Sequence, residues 1–209
     1  MTPHFGVFAG RVAGAAAFGI GFVFVVVGKS ELFTENFLVP IAGLERSRGS
    51  VLKLLELWVG TLVLNIAGGV LLAVILTSHG ILWHGSGAAV RRLTHHLVGY
   101  GAWTGFLSAI VAGALMTLMT WFVEGAAESG GIRIVMAWLV GALIALGTFN
   151  HAIVSTIEIF FGIRYGADAT WTQLFQNLGV AVGGNLVGGL ALVTFVRSAQ
   201  ALAGGAGEN

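Results

Sequence analysis

The sequence predicts an all-α polytopic membrane protein built from two repeats, each of which contains a broken helix. Hydrophobic residues make up 56% of the 209 residues and charged residues only 9%, whereas soluble domains average about 25% charged residues. A spanning helix needs about 20 apolar residues, and five long stretches contain no Asp, Glu, Lys or Arg: residues 12–28, 57–90, 93–123, 134–157 and 169–196. We therefore expect five membrane crossings.

The first half of the chain predicts a helix that unwinds and then resumes. The helix over 12–28 is followed by the polar segment 29–40, which ends at Pro40. Proline removes a backbone donor and favours an interruption, and residues 37–43 are apolar again. An ordinary loop is the alternative. The next helix, residues 54–77, follows a polar turn at 45–50.

The connection over 78–96 contains Arg91, Arg92 and four of the six histidines. Adjacent histidines such as His95 and His96 project in different directions on a helix, and neither carboxylate nor cysteine accompanies them. We therefore expect no metal site and interpret the segment as a solvated loop or an interfacial helix. A third helix is expected over 97–123.

A second polar interruption lies inside the apolar run that begins at residue 134. Asn150, His151, Ser155 and Thr156 follow a half-helix over 136–149. Polar groups at membrane depth are expensive, so they usually face a cavity, a pathway or a partner. The alternative is a histidine that is hydrogen-bonded between helices without a transport role. A last helix is expected over 171–197, followed by a flexible tail over 198–209.

The two interruptions belong to an internal repeat. A motif of asparagine, two variable residues and two glycines occurs twice, 120 residues apart: Asn65, Gly68 and Gly69, then Asn185, Gly188 and Gly189. The same offset aligns Glu31 with His151. We expect one transmembrane domain over 1–209, with repeats at about 5–78 and about 97–197. Broken helices of transporter repeats meet near the midplane and form the permeation site, so residues 30–36 and 150–156 are expected to line a pore.

Three motifs in this chain resemble those of the formate/nitrite transporter family. Glu31-Leu32-Phe33-Thr34 is similar to the acid-Leu-Phe-Thr segment of its second helix, Asn150-His151 to the central histidine of its fifth helix, and Gly184-Asn185-x-x-Gly188-Gly189 to the signature of its sixth. The resemblance covers nearly the whole chain and indicates a branch of the family with Glu-Asn after Thr34. It implies an aquaporin-like inverted-repeat helical bundle that assembles as a homopentamer in a bacterial-type plasma (inner) membrane. Each protomer would pass small monovalent anions such as formate, nitrite, hydrosulfide, acetate or lactate, without a cofactor.

The resemblance also assigns roles to individual residues. His151 would be the central histidine, and Thr34 the threonine that faces it. Further pore residues would be Asn150 and Glu31, with Leu32 and Phe33 in one hydrophobic constriction and Phe18, Phe22 and Ile144 near the other. Three departures stand out: the family's first helix is expected to be missing, Thr117 stands where the family has an asparagine, and no lysine matches the one that precedes that helix.

The residues support a proton-linked mechanism. A bare anion in an apolar constriction loses hydration, and even an ionised side chain costs about 2.5–3.5 kcal/mol at the bilayer centre on insertion scales. Histidine titrates near neutrality when unperturbed. We therefore hypothesise that His151 hydrogen-bonds or protonates the anion while Thr34 donates a hydrogen bond, so that protons are partners as well as anions. Glu31, Glu35 and Glu158 are expected to pair with Lys29 or to cap half-helices.

Other functions fit the sequence less well. A neutral-solute channel for water, glycerol or ammonia would share the repeat, but its aquaporin form carries two Asn-Pro-Ala breaks and the only prolines here are Pro3 and Pro40. An enzyme would need a catalytic motif such as His-Glu-x-x-His or Gly-x-Ser-x-Gly, which the chain lacks. The absence of cysteine excludes thiolate chemistry, and a net charge of +1 gives no nucleic-acid footprint. A truncated, non-transporting family member remains a further alternative.

Overall fold

The computed structural model describes residues 2–38, 48–78, 81–126, 128–196 and 199–200, and its described segments are largely helical. The expected resumption of the first broken helix near Pro40, the turn at 45–47 and the tail from 201 lie outside these residues. The described elements are α1 (Thr2–Val27), a 3-10 turn (Phe33–Phe37), α2 (Arg48–Leu76), α3 (Ser86–Val98), α4 (Ala102–Gly125), α5 (Gly130–Gly147), α6 (Ala152–Arg164), and α7 (Trp171–Leu186), which continues as a π-helix (Val187–Phe195).

Five helical segments of the described chain are long and apolar enough to cross a membrane, as the composition predicts. They are Gly6–Val27, Ser50–Leu76, Ala102–Gly125, Gly130–Gly147 and Trp171–Phe195. The first starts earlier than the charge pattern suggests, because Arg11 is accommodated within α1. Its guanidinium donates to the carbonyl of Leu146 at 3.3 Å.

The segment before α4 is helical, which agrees with the interfacial-helix alternative. However, the helix expected over 97–123 is in fact two helices. α3 ends at Val98 and α4 begins at Ala102, and Gly101 between them has an extended backbone with φ of −62° and ψ of 150°. An extended residue cannot continue the hydrogen-bond ladder of a helix, so the chain turns here.

Both breaks use the same backbone motif. Lys29 follows α1 with φ of 51°, and Thr148 follows α5 with φ of 52°, although residues other than glycine rarely adopt this left-handed conformation. In each case the next amide reaches back five residues, from Ser30 to Val25 at 2.9 Å and from Phe149 to Ile144 at 3.1 Å. These contacts form a Schellman motif, which ends a helix and satisfies its last carbonyls.

The two asparagines of the repeated motif brace these breaks in the same way. Asn65 accepts a hydrogen bond from the Phe33 amide at 2.9 Å and donates to the Glu31 carbonyl at 3.0 Å. Asn185 accepts from the Ala152 amide at 2.9 Å and donates to the Asn150 carbonyl at 3.2 Å. Each amide side chain thereby replaces the helical hydrogen bonds that the break removes.

These contacts also correct the alignment of the repeats. The braced residues Glu31 and Asn150 are 119 residues apart, as are Lys29 and Thr148. The expected offset of 120 holds for the asparagines but not for the breaks, so His151 corresponds to Leu32 and not to Glu31. One additional residue lies between the second break and its asparagine.

Glycine permits the close contact between α4 and α7. A Cβ atom at Gly188 would collide with the backbone carbonyl of Ile110, and one at Gly184 would lie 2.7 Å from the carbonyl of Phe106. Small residues at such contacts let membrane helices approach closely. The approach places Asn185 against α4, where its Nδ2 also donates to the Ala109 carbonyl at 2.8 Å.

Candidate functional site

The two breaks meet at a buried pair of side chains. Thr34, in the 3-10 turn, and His151, at the start of α6, are both fully buried, and the Thr34 Oγ1 atom lies 2.9 Å from the His151 Nε2 atom. These residues are 117 positions apart in the chain. The structure therefore brings together the two side chains that the resemblance places at the centre of a pore.

Local contacts determine which imidazole nitrogen carries the proton. His151 caps α6, and its Nδ1 atom accepts a hydrogen bond from the Val154 amide at 3.3 Å. In a neutral imidazole one nitrogen accepts and the other donates, so Nε2 carries the proton and donates to Thr34 Oγ1. The Thr34 hydroxyl hydrogen is then available to another acceptor. The pair therefore offers a hydroxyl donor next to a titratable donor.

Contacts on both sides hold Thr34 in place. The Glu35 carboxylate accepts from the Leu32 amide at 3.0 Å and caps the 3-10 turn. On the other side of the turn, the indole of Trp58 donates to the Asn36 carbonyl at 2.9 Å. Phe37 is fully buried and meets the ring of Trp58 edge-on at 5.6 Å. The turn that presents Thr34 is thus tied to α2.

Apolar side chains surround the polar pair in two clusters. One contains Phe33, Phe37, Ala109, Ala152, Ile153 and Ala181, and the other contains Phe22, Met116, Met119 and Ile144, with Phe18 and Leu32 packed against it. Leu32 and Phe33 thus pack into different clusters, and their place in one constriction stays a prediction. Consecutive residues of an extended segment point to opposite sides, and Leu32 has an extended backbone, with φ of −100° and ψ of 145°.

On one side of the pair, Asn150 leads to a cavity of about 390 Å³. The amide groups of Asn150 and Asn177 exchange two hydrogen bonds of 3.0 Å. The lining of this first vestibule includes Tyr100, Gly105, Gln173, Gln176, Asn177 and Val180. Its polar side chains are neutral hydrogen-bonding groups.

On the other side, the 3-10 turn leads to a cavity of about 450 Å³. Its lining includes Lys29, Glu35, Asn36, Thr120, Glu124 and Arg133. This second vestibule lies where α4 ends and α5 begins, and it is charged. A continuous series of peptide bonds and hydrogen bonds connects the two vestibules. It passes through Asn177, Asn150, His151, Thr34 and Glu35 in that order.

The structure places other candidate residues away from the pair. Glu31 is exposed, and only its backbone takes part in a break. Thr117 is buried, but its hydroxyl donates to the Gly113 carbonyl of its own helix at 3.0 Å and not to His151. The remaining residues of the repeated motif, Gly68 and Gly69, lie on α2, where Gly69 faces Ile157.

Asn177 was not among the candidates, although the sequence contains a signal for it. It precedes Asn185 by eight residues, a spacing that returns to the same side of an α-helix. Tyr100 was also not expected. Its hydroxyl donates to the Thr148 carbonyl at 3.1 Å and lies 2.9 Å from His96 Nε2, which ties α3 to the second break.

Two broken helices that meet at a buried polar pair between two vestibules define a membrane channel or carrier. A sequence model described as Formate/nitrite transporter matches residues 2–199, and the chain belongs to this family. The fold is similar to a solved structure of a pentameric formate channel with formate bound, with a TM-score of 0.79 and 20% identity over 96% of this chain and 87% of that one.

Named relatives are consistent with this assignment. The chain is 30% identical to a probable formate transporter of Methanothermobacter thermautotrophicus over 85% of this chain and 70% of the relative. It is 27% identical to the inner membrane protein YfdC of Escherichia coli over 86% of this chain, but it spans only 58% of that relative. It is 24% identical to the formate channel BtFdhC of Bacillus thuringiensis over 88% of this chain and 71% of the relative.

Family membership and the similarity to solved structures support two conclusions. The chain is a membrane-spanning transporter or channel protein and not an enzyme. The all-helical, broken-helix fold predicted from the sequence is confirmed by the similarity to solved channel structures. A second such structure, of an FNT family ion channel, gives a TM-score of 0.75 with 22% identity over 91% of this chain and 77% of that one.

Proposed function

We propose that this chain forms a homopentameric channel for small monovalent anions in a bacterial plasma (inner) membrane. Each protomer is a single transmembrane domain of two repeats and contains its own pore. Formate, nitrite or a related weak acid is the substrate, and protons accompany it. Similarity to formate transporters and channels, and to a pentameric channel solved with formate bound, supports this assignment.

One observation carries the proposal, namely the contact of Thr34 and His151 inside an apolar enclosure between two vestibules. Irregular backbone at membrane depth is tolerated where it is buried in protein or lines a cavity. Because Phe33 and Ile144 are each 2% exposed, the enclosure favours a substrate that passes with reduced charge.

In this mechanism the substrate enters between the two side chains of the pair. It accepts the Nε2–H hydrogen bond that Thr34 now accepts, and it also accepts the hydrogen of the Thr34 hydroxyl. A proton that reaches the weak-acid anion from the water of a vestibule converts it to a neutral acid, which crosses the apolar enclosure, while the neutral imidazole keeps its own Nε2 proton and supplies the hydrogen bond. The His151 ring stays oriented throughout, because the Val154 amide holds its Nδ1 atom.

The charge distribution along the sequence gives an orientation. The Arg46–Lys53 segment, Arg133 and Arg197 flank one set of connections between crossings, whereas Arg91, Arg92 and Arg164 flank the other. Loops rich in lysine and arginine remain cytoplasmic. We propose that the second vestibule, which contains Arg133, opens to the cytoplasm and that the membrane lipid contacts the exposed apolar side chains.

The test is uptake of labelled formate, nitrite and acetate into proteoliposomes across a range of pH. We expect saturable, proton-stimulated uptake by the wild type and its loss in His151→Ala and His151→Phe. The matched control is His84→Ala, which removes an exposed histidine outside both vestibules and should leave the central pair intact. Size-exclusion chromatography verifies that every variant remains assembled.

Two results would refute the proposal. Unchanged anion uptake in assembled His151 variants would show that the histidine has no transport role. A wild type without anion flux that instead accelerates water or glycerol permeation in stopped-flow light scattering would establish the neutral-solute alternative.

A further inference from the structure

A guanidinium nitrogen in the second vestibule lacks a hydrogen-bond acceptor. Arg133 lies in the first turn of α5 and lines this cavity. Its Nε atom is buried, and within the described residues it has no hydrogen-bond partner. A buried donor without an acceptor is unfavourable. Because Arg133 also lines the cavity, its guanidinium offers donors to a ligand with acceptor oxygens that enters there.

The same cavity already contains a carboxylate. Glu35 lines it, and one of its oxygens accepts the Leu32 amide at 3.0 Å. This contact holds the carboxylate at the turn that presents Thr34 to His151. The lining also includes Lys29, Arg133 and Glu124. Basic and acidic side chains therefore share this cavity, and an entering anion meets attraction and repulsion there.

We propose that Arg133 is the anion-binding group of the second vestibule and that Glu35 is a tethered carboxylate that competes with the transported anion for it. This inference rests on the proposed function. The guanidinium presents its donors in a planar fork that matches two oxygens of one anion. The ligand class is therefore a planar monovalent oxyanion, such as formate or nitrite, in preference to a spherical halide.

The proposal explains how this chain attracts anions without the lysine expected from the family resemblance. Arg133 belongs to α5, whereas the expected lysine precedes the helix of Thr117. The competing carboxylate of Glu35 keeps the vestibule from holding the substrate too tightly, because conduction requires binding weak enough for release. Glu35 and Thr34 are adjacent in the chain, so the cavity that Arg133 lines reaches the turn that carries Thr34.

Concentration dependence of formate flux tests this model. Arg133→Gln should raise KM about threefold to tenfold, the range expected for charge-assisted hydrogen bonds in a partly solvated site, with little change in the maximal rate. Glu35→Gln should lower KM, and this effect should vanish in the Arg133→Gln background.

A lysine at this position tests the geometry of the guanidinium. Arg133→Lys keeps the charge but loses the planar pair of donors, so it should give an intermediate KM and lose the preference for nitrite over chloride. Arg92→Gln, a change of an exposed arginine outside both vestibules, is the control.

Chemical modification of a cysteine at position 133 distinguishes an effect of the lost positive charge from an effect on folding. The sequence contains no cysteine, so Arg133→Cys introduces a single thiol into an assembled channel. Modification with 2-aminoethyl methanethiosulfonate restores a positive charge and should lower KM toward the wild-type value, whereas the uncharged methyl reagent should not.

The outcomes distinguish this inference from the proposed function. A wild type without anion flux contradicts the proposed function. Histidine-dependent flux with an unchanged KM in Arg133→Gln and no response of Arg133→Cys to the cationic reagent overturns the role of Arg133. An increase of KM in Glu35→Gln overturns the role of Glu35 as a competitor.

Discussion

Replacing Asn185 by alanine should destabilise the protein more than any comparable change in the first repeat. Asn185 is fully buried and makes three hydrogen bonds, to the Ala152 amide and to the carbonyls of Ala109 and Asn150. Side-chain hydrogen bonds in membrane proteins contribute about 0.6 kcal/mol each on average, so loss of the two bonds to carbonyls accounts for about 1 kcal/mol.

A second contribution comes from the amide that loses its acceptor. Ala152 is the first residue of α6, and the first amides of a helix have no acceptor within the helix. A buried unsatisfied donor costs about 1–3 kcal/mol. The expected loss of unfolding free energy in Asn185→Ala is therefore about 2–4 kcal/mol.

The symmetry of the fold supplies a matched comparison. Within the described residues Asn65 makes two equivalent hydrogen bonds, compared with three for Asn185, and it is partly exposed, so less is lost with its side chain. Asn65→Ala should therefore cost only about 1 kcal/mol. Reversible unfolding of the detergent-solubilised protein by sodium dodecyl sulfate measures both values, and formate uptake reports on the break. Equal losses in the two variants would refute the argument that Asn185 satisfies an otherwise unpaired buried amide.

Two further changes test the packing and the central pair. Gly188→Ala should destabilise the protein by more than about 2 kcal/mol, because the new Cβ atom would collide with the Ile110 carbonyl. Gly183→Ala should be tolerated, because its Cβ atom would meet only a side chain at 3.7 Å. Equal melting temperatures of the two variants would contradict this prediction. Thr34→Val should abolish formate uptake while Thr34→Ser preserves it, since the hydroxyl is the group that hydrogen-bonds to His151. Transport by the valine variant would exclude a role for the hydroxyl.

The sequence predicts the parts of this fold that depend on composition. Uncharged apolar stretches indicate the crossings, and polar residues within an apolar run indicate the breaks at Thr34 and His151. The repeated asparagine and glycines indicate that the halves are equivalent. Polar side chains and backbone groups without hydrogen bonds are costly at membrane depth. The few polar residues within an apolar run are therefore easily recognised in the sequence.

The details of side-chain pairing could not be obtained in this way. A helix that is apolar on all sides gives no signal for its rotation about its own axis, so the pairing of Asn150 with Asn177 and the separation of Leu32 from Phe33 emerge only from packing. The one-residue shift between the two breaks also cannot be predicted from the sequence. The repeated motif identifies Asn65 and Asn185, but it does not show which backbone groups their side chains bind. The π-helix from Val187 likewise has no counterpart in the local pattern.

The repeated backbone explains why the central side chains differ. Both halves end a helix in the same Schellman motif and brace the break with an asparagine, so the scaffold alone would place identical groups face to face. Two histidines or two threonines would not provide both an oriented donor and an adaptable hydroxyl. Because the Val154 amide occupies His151 Nδ1, the ring presents a donor at Nε2, and its partner must accept that hydrogen bond while keeping a donor for the substrate. A hydroxyl meets both requirements. The 3-10 turn, which has no counterpart at the start of α6, places Thr34 two residues beyond the position equivalent to His151, where the two side chains can meet.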